Sequence, residues 1–370
     1  MRDFGVEPGV LPPGPLNAIT DVAGVRVGHE TVVEGESVRT GVTAILPHGG
    51  NLFQEKVPAA AWVANGFGKA AGFLQVRELG TIETPIVLTT TLAVGTAVQT
   101  VVAWTLEQEG NAGVLSVNAV VGETNDGLLN DGRSLPIRPE HVRAAIAAAR
   151  GGPVTEGSVG AGTGTRALGW KGGIGTASRV LPEALGGWTV GALVQSNFGG
   201  LLSIDGVPVG ELLGRYAYRE VLEAEAAREV PAPAPVPHLD PGDGSCMIVL
   251  ATDAPLSARN LERLAKRAAL ALGRVGSYMS NGTGDFVIAF STAPGNRRPY
   301  ESEEGVLAVA DLRNDAVSPL FLAAVEAVEE AIYNSLLRAE TITGHGGRTV
   351  EAIPVDRVRE VLVEHRRVAH

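Results

Sequence analysis

The chain has 370 residues, 45% hydrophobic and only 19% charged, long enough to bury a substantial core. A formal charge of −11 with no lysine/arginine cluster argues against a nucleic-acid partner, and the single cysteine, Cys246, excludes an intrachain disulfide framework or a cysteine-rich metal site. The first residues lack a signal-peptide layout and no apolar run approaches the roughly 20 residues that span a bilayer, so a soluble cytoplasmic protein with no membrane partner is expected.

Along the chain, residues 18–27 (AITDVAGVRV) and 40–46 (TGVTAIL) carry the apolar and β-branched mix of strands, closed by glycine-rich turns. Residues 86–92 read as another strand. Residues 95–109 follow as a helix, with Val98, Val101, Val102 and Leu106 at helical spacing. Residues 113–121 are again strand-like, and 138–150 (RPEHVRAAIAAAR) predict a helix stopped by Gly151-Gly152-Pro153. The glycines of VGAGTG (159–164) have GxGxG spacing but open no helix, which favours a tight glycine hairpin near a site over a dinucleotide loop.

A buried-type strand at 188–195 ends in Ser196-Asn197-Phe198-Gly199. Residues 211–230 are helical or frayed and break at PAPAPVP (231–237), an exposed semi-stiff connector. A strand at 246–251 precedes a helix capped by Ser257, with Leu261, Leu264, Ala268 and Leu272 in one stripe. Another strand spans 285–290. Ser318 as cap and Pro319 at the first helical position start a long helix, and a last helix covers 356–365. Strands alternating with amphipathic helices, several joined by short links, predict a layered α/β sandwich forming one domain.

Chemistry concentrates at strand ends. In PGDGSCMIVLATDAPL a polar loop gives way abruptly to an apolar strand at Gly244-Ser245. Attack of the Ser245 hydroxyl on the Gly244 carbonyl would turn the peptide into an ester that water opens. Ser245 would then carry an α-amine of pKa about 7.7–8.0, suited to act as base for its own hydroxyl. The plainer reading, a serine starting a strand after a glycine turn, leads when this loop is taken alone. Three other strand ends shift the balance: Thr283 and Asp285 before and within DFVIAF, Asn197 with a side-chain N–H suited to an oxyanion, and Glu123 with Asn125 beside it in GETNDGLLND. Each alone also fits an ordinary polar turn. The sequence has no HExxH; His29, His48 and His345 stand isolated, and Cys246 is expected to be buried and inert.

Together PGDGSCMIVLATDAPL, VQSNFGGLL, GETNDGLLND and NGTGDFVIAF resemble the DmpA-like L-aminopeptidase D-Ala-esterase/amidase family, self-cleaving N-terminal nucleophile hydrolases that include β-aminopeptidases. The segments ITDVAGVRVGH, RTGVTAILP and NGFGKAAG also look like that family, and the likeness runs from about Asn17 to the last helix. It implies a four-layer αββα sandwich, related to that of ornithine acetyltransferase, cut before Ser245 into fragments 1–244 and 245–370. By the resemblance Ser245 is the nucleophile, Asn197 helps form the oxyanion hole, Thr283 and Asp285 orient the nucleophile and its amine, and Glu123 binds the substrate ammonium. It implies no cofactor and no metal, substrates that are small peptides, amides or esters with a free amine, and tetramers of cleaved units.

Some relatives have serine and glutamate where this chain has Thr283 and Asp285, and well-studied members have a tyrosine near Asn125, whereas here no tyrosine precedes Tyr216. An amidase or acyltransferase using a pantetheine-like substrate, or an uncleaved non-catalytic homologue, are the alternative functions.

Overall fold

A computed structural model describes residues 1–227 and 244–367. Four layers stack, helix–sheet–sheet–helix. The first sheet takes β1 (Arg26–Glu34), β2 (Val38–Leu46), β5 (Ile86–Thr90) and β6 (Val120–Thr124) in the order β1-β2-β5-β6. The second has seven strands: β3 (Glu55–Gly66) with β4 (Thr81–Ile82) at its side, β9 (Gly173–Val180), β10 (Thr189–Asn197), β11 (Gly244–Thr252), β12 (Thr283–Ser291) and β13 (Arg298–Pro299), ordered β13-β3-β12-β11-β10-β9. A hairpin, β7 (Arg166–Ala167) with β8 (Trp170–Lys171), stands apart. Within the large sheet β11 and β12 run parallel and the other pairs antiparallel.

Strand alternation sorts the core into three layers. Met247, Val249 and Ala251 of β11 join Phe286, Ile288 and Phe290 of β12 between the sheets, against Ile86, Leu88 and Val120. The intervening Cys246, Ile248 and Leu250 face outward with Val287 and Ala289, under α6 (Ala258–Arg274) and α7 (Ser318–Leu337). On the far side Val42, Ala44, Val87 and Val121 lie under α2 (Val94–Leu106) and α3 (Pro139–Ala147). The αββα sandwich is therefore the architecture, as the sequence implied.

A buried ionic cluster lies where α7 crosses β9. Arg179, with no exposed surface, pairs with Glu326 at 3.1 Å and Glu330 at 2.8 Å, and Arg2 reaches Glu330 at 2.9 Å. Among the described residues no helix is long and apolar enough to cross a membrane.

Several expected elements differ. Residues 18–27 are largely not a strand: Asp21 accepts the N–H groups of Leu16 and Ala18 at 3.0 and 3.1 Å and curls Ile19–Asp21 into a 3-10 turn, so β1 begins only at Arg26. The stretch 113–121 supplies strand only from Val120. VGAGTG is a 3-10 turn at Gly160–Gly162, pinned to β1 and β2 by the Thr31 and Thr43 hydroxyls; the hairpin follows it, at β7–β8. The helical region 211–230 holds two short pieces, α4 (Val209–Leu212) and α5 (Arg219–Ala226), and its end, with the proline tract 231–237, lies outside the described residues. Ser318 lies inside α7, whose preceding residue Val317 makes no side-chain cap; Pro319 is in the first turn as expected. Ser257 does cap α6, accepting the Asn260 N–H at 3.4 Å. The last helix, α8 (Val355–Glu364), matches its expectation.

Candidate active site

Three adjacent strands of the large sheet bring the candidate residues to one end. β10 and β11 pair so that Asn197 stands directly opposite Ser245, and β11 and β12 pair so that Gly244, Ser245 and Cys246 lie beside Thr283, Gly284 and Asp285. Alternation from Met247 puts Ser245 on the inter-sheet face, and its partner Asn197 shares that face. Asp285, two residues before Val287, lies on the helix-covered face, as does Thr283. The hydroxyl and amide thus lie on one side of the sheet, and the Thr283–Asp285 pair flanks the Ser245 main chain from the other.

All four side chains are buried. Ser245 Oγ donates to the carbonyl oxygen of Gly244 at 2.5 Å, so the hydroxyl is folded back on the peptide group it would attack. Gly244 is required by space: a Cβ there would lie 1.8 Å from the Asn197 carbonyl oxygen. Gly284, beside Ser245, is equally constrained, because a Cβ would meet the Phe67 carbonyl at 2.5 Å.

The Asn197 amide is fixed at both ends. Its Oδ1 accepts the Arg166 backbone N–H at 3.0 Å, and its Nδ2 donates to the Asn125 carbonyl at 3.0 Å. An amide nitrogen carries two protons, so one N–H remains to be given. Asn125 serves here through its main chain; its exposed side chain accepts the Gly127 N–H at 3.0 Å within its own turn.

On β12 the Thr283 hydroxyl lies 2.6 Å from Asp285 Oδ2 and 3.0 Å from the Ser280 carbonyl, and its single proton goes best to the closer, charged acceptor. Burial pushes the Asp285 carboxyl up to about 6, offset in part by the Thr283 hydroxyl and then the Cys246 N–H. Asn65, at the end of β3, braces this corner: its Nδ2 donates to the carbonyls of Ser280 and Thr283 at 2.8 and 2.7 Å and to Thr283 Oγ1 at 3.1 Å. Sequence reasoning assigned Asn65 no role; its one signal was its place in NGFGKAAG.

Glu123 comes from the other sheet, near the end of β6. Its Oε1 accepts the Lys69 N–H at 3.0 Å and lies 3.7 Å from Lys69 Nζ, while Oε2 is buried with no hydrogen-bond partner among the described residues. Burial raises its pKa, and Lys69 and Thr91 oppose that. The Phe67–Lys69 segment connects Glu123 to the Thr283 end of β12, since Phe67 N–H donates to the Thr283 carbonyl at 3.3 Å. Beside Asn197 a cavity of about 890 Å³ opens, lined by Arg166, Gly199, Arg215, Tyr216 and Tyr218 among others. Cys246 is fully buried, and burial holds its thiol well above the usual range, which keeps it an inert neighbour.

The model of Peptidase family S58 matches residues 17–350. The chain is 42% identical over 381 residues to the β-peptidyl aminopeptidase BapA of Sphingosinicella microcystinivorans, covering 100% of this chain and 93% of that protein. It superimposes on the solved β-aminopeptidase of a Burkholderia species with a TM-score of 0.86 and 41% identity, covering 100% of this chain and 99% of the other. The L-aminopeptidase D-Ala-esterase/amidase of Ochrobactrum anthropi, a prototype for the serine aminopeptidases and a variant of the Ntn hydrolase fold, matches with a TM-score of 0.87 at 38% identity over 100% of this chain and 99% of the other. The chain therefore belongs to Peptidase family S58 and is an aminopeptidase of the serine, N-terminal-nucleophile type.

Proposed function

We propose that this aminopeptidase matures by cutting itself between Gly244 and Ser245, and that Ser245 then releases N-terminal residues from small peptides, amides or esters bearing a free amine. The observation that carries the reading is the pairing of Ser245 with Asn197 across β10 and β11. In maturation Oγ adds to the Gly244 carbonyl, the C–N bond breaks as the Ser245 nitrogen takes up a proton, and water hydrolyses the ester to free the Gly244 carboxylate. In the mature enzyme the Ser245 α-amine takes the Oγ proton as Oγ adds to the substrate carbonyl. The oxyanion is held by the remaining Asn197 N–H. Collapse expels the leaving amine with the proton from the Ser245 ammonium, and water repeats the sequence to release the acyl product.

Thr283 and Asp285 orient the Ser245 amine from across the strand, and ionised Asp285 claims the Thr283 proton so that the threonine oxygen accepts from the amine. Glu123 binds the substrate ammonium through Oε2, which has no hydrogen-bond partner among the described residues. The names of the relatives extend the substrate class to β-amino acids at the N-terminus. The protein works in the cytoplasm as a homo-oligomer of cleaved units, a tetramer by resemblance, which light scattering on the purified enzyme tests.

Denaturing electrophoresis and intact mass should give two fragments, 1–244 and 245–370, for the wild type and one full-length chain for Ser245→Ala. A wild type that stays intact sinks the mechanism. Substrates with a blocked amine should be poor, and Glu123→Gln should raise KM for free-amine substrates about tenfold or more, the scale of a lost charge-assisted contact. Equal hydrolysis of blocked and free substrates removes Glu123 from this role.

A further inference from the structure

We propose that Lys171 is a positioning residue for the oxyanion-binding amide of Asn197, acting through the turn that its ammonium ties together. The inference rests on the reading of Asn197 as oxyanion donor. Lys171 has no exposed surface, and no carboxylate hydrogen-bonds to it among the described residues. Its Nζ instead donates to two main-chain carbonyls, Gly162 at 2.9 Å and Gly172 at 2.7 Å. Those carbonyls sit at either end of a segment that Thr165 also closes, its hydroxyl donating to the Gly162 carbonyl at 3.0 Å and its carbonyl accepting the Gly172 N–H at 3.1 Å. The next residue, Arg166, gives its backbone N–H to Asn197 Oδ1.

That bond decides which way the Asn197 amide faces. With Oδ1 claimed by Arg166, Nδ2 is directed toward Asn125 and its spare proton is left for an incoming oxyanion. The Nδ2 side is anchored by a second buried charge. Asn125 is followed by Asp126, whose carboxylate takes the Thr90 hydroxyl at 2.7 Å and the Asn130 amide at 2.9 Å. Asp126 is also the charged group that favours the protonated form of Lys171, against a burial that pulls the amine down to about 7. Two buried ionisable side chains thus bracket one amide, Asp126 next to the Asn125 carbonyl and Lys171 through the turn that ends at the Arg166 N–H. An apolar side chain at 171 would fill the volume but take the ammonium from the Gly172 carbonyl and leave the Gly162 carbonyl to the Thr165 hydroxyl alone, so the 162–172 turn must rearrange.

The test is a double-mutant cycle of Lys171→Met and Asn197→Ala, with kcat and KM measured per mole of released fragment 245–370 on an activated ester of a free-amine amino acid. In the wild-type background K171M should lower kcat about 10- to 100-fold with KM changed less than about twofold, the signature of a lost transition-state contact. In the N197A background the same substitution should change kcat less than about threefold, because the group it positions is gone. Thr165→Val loosens the same turn at milder cost; it should show a smaller loss with the same suppression and carries the cycle if K171M does not mature. An equal kcat loss in both backgrounds, or an unchanged kcat in K171M, overturns the inference while leaving the oxyanion reading intact. An N197A enzyme with wild-type kcat overturns that reading itself, and the inference with it.

Discussion

Gly244 and Asp285 show at residue scale how much the site costs the fold. The methyl group of Gly244→Ala would collide with the Asn197 carbonyl at 1.8 Å, and backbone atoms on both sides must move apart. Self-cleavage in that variant should slow by about tenfold or more, followed as fragment appearance after expression, because the attacking and accepting groups share that backbone. Asp285 has a folded-state pKa raised to about 6 against an ordinary 3.8, so its ionised form is penalised in the native protein. That penalty is fully present above about pH 6 and shrinks as pH falls toward 3.8, where folded and unfolded chains both hold the proton. Asp285→Asn should therefore melt higher than wild type at pH 8, by the equivalent of about 1–3 kcal/mol, with the difference closing near pH 4. Activity should move the other way: below the loss that protonating the Ser245 amine brings, a second fall on acidification through about pH 6 marks Asp285 losing the charge that holds the Thr283 proton, and D285N stays low at every pH.

At the scale of elements, the Ser257 cap gives the plainest prediction: Ser257→Ala removes the acceptor for the Asn260 N–H and should cost about 0.5–1 kcal/mol in chemical denaturation, the 3.4 Å bond placing it at the low end. The elements legible in the sequence share a feature: a marked apolar run or stripe bounded by a polar or stopping residue. α6 has its stripe and its cap; β10 is an apolar run that finishes on Asn197, and β11 and β12 are apolar runs that start at Ser245 and at Thr283 and Asp285. The candidate site is legible for the same reason, since Ser245, Asn197, Thr283 and Asp285 are polar residues at the ends of long buried strands. What stayed hidden lacked that contrast. β3 is rich in alanine, and its residues EKVPAAAWVANG carry a lysine and a proline that obscure the strand, so Asn65 at its end went unnoticed. Residues 18–27 had strand composition, but Asp21 bonds the backbone of Leu16 and Ala18 locally and wins over sheet pairing. Lys171 carries no signal in the sequence, because its partners are carbonyls of a loop.

For the whole molecule, the ionic cluster around Arg179 joins the start of the chain, β9 and α7. Arg179→Met would leave Glu326 and Glu330 buried with their main counter-charge gone, and should destabilise by about 3–5 kcal/mol in a denaturation curve while kcat of the folded enzyme stays near wild type. The order of the large sheet has a consequence for a chain cut at the Gly244–Ser245 bond. β11, β12 and β13 follow the cut, and β3, β9 and β10 precede it; in space β11 and β12 lie between β3 on one flank and β10 on the other. The two pieces would interleave like fingers of clasped hands, with no face along which they part and no way to lose one without dissolving the other's sheet. Severed covalently, they should unfold in a single transition whose midpoint falls on dilution, because unfolding and dissociation are one event, and once separated in denaturant they should regain activity only when mixed.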